Sequence, residues 1–318
     1  MRRKDLYTLL LIAFLLVLYP WIVQTNDYFI SILVFLGINS IVTMGLCLLM
    51  GYAGQISLGH AAFFGMGAYF SGILTSQYSY HPVVAFFVGI FFSALVAFLV
   101  GKPTLRLKGH YMAVATLCFG EIFFIVFNEL DFLTGGPSGL SGIPTLTFFG
   151  RVLEGTAYLY LVWGFVFLLL VFSLNVINSR VGRALRAVHG GELAANAMGF
   201  DAARYKVQVF VLSAVYASIA GSLYAHYVTF ISPSSFGLMP SIMFLMMVVI
   251  GGAGTIWGAL LGTAVLTSLP EYLRGLKDFE VLAYGGILMV VLLFMPQGVL
   301  EGMQKLLKRM KKTTKRSL

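Results

Sequence analysis

Ten apolar stretches follow one another along the chain, at 6–24, 28–50, 56–76, 82–101, 111–129, 157–177, 205–229, 236–252, 255–272 and 281–299. A helix needs about 20 apolar residues to cross the hydrocarbon core of a bilayer. A chain inside that core must satisfy its own backbone hydrogen bonds, so each spanning stretch is a helix. Composition agrees: 59% of the 318 residues are hydrophobic, 10% are charged and the mean hydropathy is +0.91. An average soluble domain is about a quarter charged, and this chain has too little polar surface to cover a soluble core. That excludes a soluble enzyme, a secreted disulfide scaffold and a nucleic-acid binder. The expected fold is all-α, a single polytopic bundle over residues 1–318 with about eight to ten spans. Glycines interrupt the pieces at 51–76 and 236–272, which predicts broken or re-entrant helices there.

Charge placement gives an orientation. With the first end inside and the spans alternating, the inner segments hold three basic residues at 2–4, three at 102–108, five at 180–206 and seven at 305–316. The outer segments keep only Arg151, Arg274 and Lys277, together with most of the acidic residues. This is the positive-inside pattern with both ends cytoplasmic and an even number of spans. The stretch from Leu6 ends in Tyr19-Pro20-Trp21 and lacks a small-residue cleavage site, so it reads as a retained first span. The basic tail 304–318 suits the surface of an anionic membrane. Cys47 and Cys118 lie within apolar runs and form no disulfide framework or metal cluster. No phosphate-cradling G-x-x-x-x-G-K-[ST] loop occurs, so nucleotide-driven work requires another subunit.

Several segments carry more than hydrophobicity. In Gly51–Tyr69, the small residues Ser57, Ala61 and Gly65 recur every four positions, together with Gly54 a pattern for close helix packing. The same segment places Gln55, Ser57 and His60 near membrane depth, as packing groups or as part of a solute path. Glu121 is the acidic residue well inside a span, with His60, His226 or a substrate ammonium as candidate partners. Gly254, Gly258 and Gly262 form a double G-x-x-x-G, read as helix packing, while Gly251-Gly252 can break the helix. The segment 133–144, with four glycines and two prolines, is an ordered connector or a lid-like element at the outer mouth. The inner segment 178–204 is interrupted at Gly190-Gly191 and resumes as a run of helix formers from Glu192 to Met198, closed by Gly199, with Asp201 able to cap the next span. Two turns are too short to be stable alone, so this helix needs a surface to dock on.

The Ser57-Leu-Gly-His-Ala-Ala-Phe-Phe-Gly65 core resembles the signature of LivM-type permeases, membrane subunits of bacterial ABC importers for branched-chain amino acids and relatives. Leu58-Gly59-His60 favours that type over the sister LivH type. The glycine-rich runs at 135–144 and 251–262 resemble the same family, and Glu192–Gly199 is similar to the coupling loop of importer permeases, with Leu193 in place of the commoner Ala. The resemblance, over about 28 to 300, implies a non-enzymatic permease subunit in the bacterial inner membrane working by alternating access. It implies a LivH-type sister subunit, two cytosolic ATPases that bind the ATP, and a periplasmic or lipid-anchored binding protein. No cofactor is expected in this chain, and neither is a metal. Glu192, Ala194, Ala195 and Gly199 then belong to the ATPase-coupling element. Close relatives carry urea or short amides, so the solute stays open between these and amino acids. An ATP-independent secondary transporter or channel would need more intramembrane titratable groups than Glu121 and His60. A membrane-embedded enzyme would need a catalytic pair that the sequence does not offer.

Overall fold

The computed structural model describes residues 27–104, 109–148 and 151–273, and beyond them Leu282, Gly285, Gly286, Met289, Leu293 and Gly298. The apolar stretch 6–24, most of 281–299 and the basic tail 304–318 lie outside the described residues.

Helix α1 (Asp27–Cys47) passes through a π-helical turn (Leu48–Tyr52) before the chain leaves helical geometry. Helices α2 (His60–Ser76), α3 (Pro82–Thr104) and α4 (His110–Glu129) follow. After the single turn α5 (Asp131–Thr134) and a 3₁₀ turn (Gly136–Ser138), β1 (Thr147–Phe148) pairs antiparallel with β2 (Arg151–Val152). Then come α6 (Thr156–Asn178), α7 (Arg180–Gly190), α8 (Glu192–Ala197) and the long α9 (Ala202–Val228). A 3₁₀ turn (Pro233–Phe236) leads into α10 (Leu238–Gly251) and α11 (Ile256–Leu273). Six of these helices, α1, α3, α4, α6, α9 and α10 with its preceding turn, are long and apolar enough to cross a membrane. Helices α2 and α11 pack lengthwise among them, so eight of the ten apolar stretches become helices of one bundle. The hairpin is a minor exception to an all-helical fold.

The bundle is organised around α9, which packs along α2, α3 and α1. Its buried positions are mostly small: Ser213, Ala214, Ala217, Ser218, Ala220, Gly221, Ser222 and Ala225. Hydrophobicity does not drive apolar helices together in lipid, so close backbone approach must do so. A Cβ on Gly221 would lie 1.8 Å from the Phe64 carbonyl oxygen, and one on Gly67 would lie 2.1 Å from that of Ser218. The helices α2 and α9 therefore touch backbone to backbone. Aromatic rings fill the space beside this seam, with Tyr69 stacked on Phe127 at 4.6 Å between centroids and Phe236 edge-on to Tyr69 at 5.5 Å. By contrast little of α3 and α4 is buried, and they display Phe87, Phe91, Leu99, Ile122 and Ile125. An apolar face of that size belongs against lipid or another subunit.

Candidate functional site

The non-helical segment 53–59 is the least ordinary part of the bundle. Tyr52 ends the π turn, and the Gly54 and Gln55 amides turn back to the Met50 and Leu49 carbonyls at 3.1 Å each. Gly54 takes a positive φ of 69°. Helix α2 then starts inside the bundle, where its free N–H groups cannot reach water and need protein partners. They find them on other helices. Thr116 Oγ1 of α4 accepts from the Leu58 amide at 3.0 Å, and Ser241 Oγ of α10 accepts from the Ala61 amide at 3.0 Å. The His60 ring is fixed at both nitrogens: Nδ1 lies 3.0 Å from Ser57 Oγ and Nε2 lies 2.6 Å from Ser213 Oγ on α9. Gln55 is different. It is 3% exposed, and neither its Oε1 nor its Nε2 has a hydrogen-bond partner among the described residues.

A second break lies directly against the first. Between α10 and α11 the chain turns through Gly252–Thr255, and a Cβ on Gly51 would sit 1.8 Å from the Ala253 carbonyl oxygen. Cys47 Sγ also reaches that oxygen at 3.4 Å. Thr255 Oγ1 accepts from the Gly258 amide at 3.1 Å and so caps the start of α11.

The third part is the α7–α8 corner. Ser179 caps α7 by accepting from the Val181 amide at 3.1 Å, and α7 buries Gly182, Leu185 and Val188 while Arg180, Arg183 and Arg186 face outward. Its last turn presents His189, whose Nδ1 lies 3.1 Å from the Gly51 carbonyl oxygen, in the first break. Helix α8 closes with a Schellman pattern, Phe200 N–H to Ala195 O and Gly199 N–H to Asn196 O, each at 3.0 Å, with Gly199 at φ 85°. Asn196 Oδ1 also accepts from the Ala202 amide at 3.0 Å. Ala195 is fully buried against Val188 and Ala202, whereas Leu193 is 81% exposed and Met198 65% exposed. Glu192 forms an ion pair with Lys206 of α9.

At the opposite end, segment 133–144 folds back over the bundle. Leu140 pairs with Ile231 through two backbone hydrogen bonds of 2.8 and 3.0 Å, and buried Ile143 sits over Gly72. His226 ties this lid to the α2–α9 seam, with Nδ1 at 2.8 Å from the Pro144 carbonyl oxygen and Nε2 at 2.9 Å from Ser71 Oγ. Ser222 donates to the same Ser71 at 2.8 Å.

This arrangement is a bundle with two touching helix breaks at one end, a helical corner whose first helix α7 leans on one of them and whose second, α8, is exposed, and an ordered lid at the other end. A family model described as "Branched-chain amino acid transport system / permease component" matches residues 28–296. The chain belongs to that family. It is similar to the "High-affinity branched-chain amino acid transport system permease protein LivM" of Escherichia coli K12, 32% identical over 92% of this chain and 74% of that one. It also resembles the "Probable branched-chain amino acid transport permease protein LivM" of Methanocaldococcus jannaschii, at 24% over 86% and 93%. It is also similar to the "High-affinity branched-chain amino acid transport system permease protein LivH" of E. coli K12, at 25% over 82% and 90%. No solved structure matches the chain. The protein is a multi-pass membrane protein and a permease component.

Within this permease, the residues singled out from sequence separate into groups. Gln55, Ser57 and His60 come together around the first break. Ser57 stands before α2, so it does not share a helix face with Ala61 and Gly65. Gly65 does pack closely, its Cβ position 2.7 Å from Phe127 and 2.9 Å from Phe236. Gly54 belongs to the turn, with its Cβ position 3.0 Å from the His189 ring. Gly258 and Gly262 face the α10 backbone, 2.5 Å from Gly252 O and 2.0 Å from Met247 O, whereas Gly254 is exposed in the turn outside α11. Glu121 does not meet either histidine; both rings are engaged elsewhere, and Glu121 sits half-buried on the sparsely covered helix α4. Ala194 is exposed while Ala195 faces inward. No group of metal-ligating residues gathers among the described residues.

Sequence reading missed two features. One is that α7 is an ordered amphipathic helix, signalled by small or apolar residues at 182, 185 and 188 between arginines at 180, 183 and 186. The other is an internal repeat: Gly51-Tyr-Ala-Gly-Gln-Ile56 recurs as Gly251-Gly-Ala-Gly-Thr-Ile256, offset by 200 residues. Comparing the chain with itself would have found it.

Proposed function

We propose that this permease component is the membrane subunit of an ATP-driven importer that moves branched-chain or related amino acids into the cell by alternating access. The observation that carries the reading is the α7–α8 corner. Helix α8 presents Leu193 and Met198 to the exterior of the bundle, and one turn earlier His189 holds the carbonyl of Gly51 in the first break. A push on α8 reaches the broken helix through one rigid corner. ATP closure shifts an outward–inward equilibrium only by its differential affinity for the two states, and this corner is where that difference enters the membrane.

In this reading α8 docks on one of two cytosolic ATPase subunits, which bind the ATP. Leu193, Ala194 and Met198 touch the ATPase. Glu192, Ala195 and Gly199 shape the peg through the ion pair to Lys206, the inward packing and the closing turn. The corner and the breaks face the cytoplasm of a bacterium, both chain ends lie on that side, and the lid 133–144 faces the periplasmic or lipid-anchored binding protein. A LivH-type sister subunit covers the open face of α4 that carries Glu121 and completes the solute path. Ser57 and His60 hold the first break in place, and Gln55 and Glu121 offer polar groups to the passing solute.

The test is reconstitution of the chain with a sister permease, ATPase subunits and binding protein, following labelled leucine. Uptake depends on ATP and on the binding protein, and Leu193→Arg abolishes both uptake and ATPase co-purification. Uptake by the lone chain, or full coupling in Leu193→Arg, overturns the proposal.

A further inference from the structure

We infer that a groove between α3 and α9, beside the α8 peg, is a binding site for an anionic glycerophospholipid of the adjoining membrane leaflet. The groove has a volume of about 930 Å³, at the upper end of the range for small-molecule pockets. On α9 its lining residues Arg204, Val207, Gln208 and Val211 follow helical spacing on one face, and on α3 Phe98 and Lys102 are one turn apart. The lining therefore changes along the bundle axis. Lys102 and Arg204 stand at the rim, and Phe98, Val207 and Val211 lie deeper along the helices. Arg204 to Val211 covers about 10 Å of helix rise, the depth over which a phospholipid passes from phosphate to acyl chain.

The charge accounting leaves the rim cationic. Glu192 is taken by Lys206. Asp201 accepts from the Arg204 amide at 3.0 Å as the cap of α9 and keeps its negative charge, so the lining holds Lys102, Arg204 and Lys206 against Glu192 and Asp201. Among the described residues no carboxylate pairs with Lys102 or Arg204, and the Lys102 ammonium lies 4.3 Å over the Phe98 ring. Three basic side chains against two carboxylates leave a net positive rim above an apolar, outward-opening floor, which matches an anionic headgroup with its chains in the leaflet. It does not match a zwitterionic amino acid, which would leave the floor exposed to lipid anyway. Basic pockets between spans on the basic side of a membrane protein bind such headgroups. A lipid seated here touches α8 through Glu192 and Asn196, so it also steadies the peg.

The experiment is native mass spectrometry of the full-length chain released from vesicles of mixed phosphatidylglycerol and phosphatidylcholine. The expected result is selective retention of phosphatidylglycerol. The double variant Lys102→Gln/Arg204→Gln weakens retention by roughly 30-fold, since each cation is worth about fivefold at an anionic surface. Arg180→Gln/Arg183→Gln, at the same end but outside the groove, leaves it unchanged. Val207→Trp fills the floor with both cations intact and also expels the lipid. Equal retention of the two lipids, equal loss in the Arg180/Arg183 variant, or displacement of the lipid by inorganic phosphate alone overturns the assignment. So does retention in the complex that vanishes because an ATPase subunit covers Lys102 and Arg204.

Discussion

The two helix breaks share one sequence and use it differently. Each reads Gly-x-Ala-Gly followed by a polar residue and Ile, at 51–56 and at 251–256. In the second break the polar residue is Thr255, which caps α11, and the turn is short. In the first it is Gln55, which caps nothing, and the start of α2 is held by Thr116, Ser213 and Ser241 from three other helices. The second break is thus self-sufficient, a fixed stop. The first closes its turn locally through the Gly54 and Gln55 amides and the Ser57–His60 contact but depends on three other helices for the start of α2, and α7 touches it. A segment whose local structure depends on borrowed bonds changes when its neighbours move, whereas a locally closed turn does not. Under the proposed coupling, 53–59 is the part of the pair that transmits motion and 252–255 is the surface it works against.

The comparison is broken most severely at the contact between the two. A methyl group at Gly51 would lie 1.8 Å from the Ala253 oxygen, which is backbone and has little freedom to retreat. Gly51→Ala therefore forces the breaks apart and costs about 1–3 kcal/mol, the usual range for overpacking. In detergent the variant unfolds at lower temperature and yields less assembled complex. The same change at Gly51 in a chain whose stability is unaltered would show that the breaks are not in contact.

An effect of similar size separates borrowed from local support. His60→Ala removes one interhelical hydrogen bond, to Ser213, worth about 0.6 kcal/mol and at most about 1.7 kcal/mol in a membrane, and one local bond, to Ser57. It also leaves Ser57 and Ser213 buried without that partner and opens a ring-sized hole, for a total loss of about 2–3 kcal/mol. Thr255→Ala removes one cap, worth about 1 kcal/mol. Reversible unfolding in mixed micelles should rank the two in that order, and His60→Ala should also slow uptake while Thr255→Ala leaves it near normal. The reverse ranking would mean that the first break is held locally after all.

Much of this was legible in the sequence and the remainder was not, for physical reasons. Long apolar runs fix helices because lipid leaves no alternative for the backbone, and Asp201 and Gly199 mark helix ends through their own chemistry; these residues do as the sequence indicates. The glycines announce that the chain breaks near 51 and 251 but not which of them turn and which pack. Gly254 and Gly54 fall in turns while Gly258 and Gly262 stay on the helix, because the decision rests with the partner backbone, which lies elsewhere in the sequence. The partners of Glu121 were illegible for the same reason. Two histidines looked available until Ser57 beside His60 and, from other segments of the chain, Ser213, Ser71 and the Pro144 carbonyl claimed them.

Gln55 gives the smallest expected change in stability and the sharpest test of the comparison. Its amide is buried with neither atom bonded among the described residues, a condition that costs about 1–3 kcal/mol for a polar group. Its counterpart in the repeat, Thr255, shows that the same backbone position can be served by a side chain that satisfies itself. Gln55→Leu removes the unpaired amide at similar volume, so the folded chain should be as stable as the parent or more stable by up to about 1 kcal/mol. If the amide is kept for a passing solute, uptake should fall at least tenfold (roughly 1.4 kcal/mol at the barrier) while ATPase co-purification is unchanged. A gain in stability together with a loss of transport is the signature of a group retained for function at a cost to the fold. Unaltered uptake in Gln55→Leu would instead assign the first break a mechanical role alone, leaving His189 and the Gly51 carbonyl as its working parts.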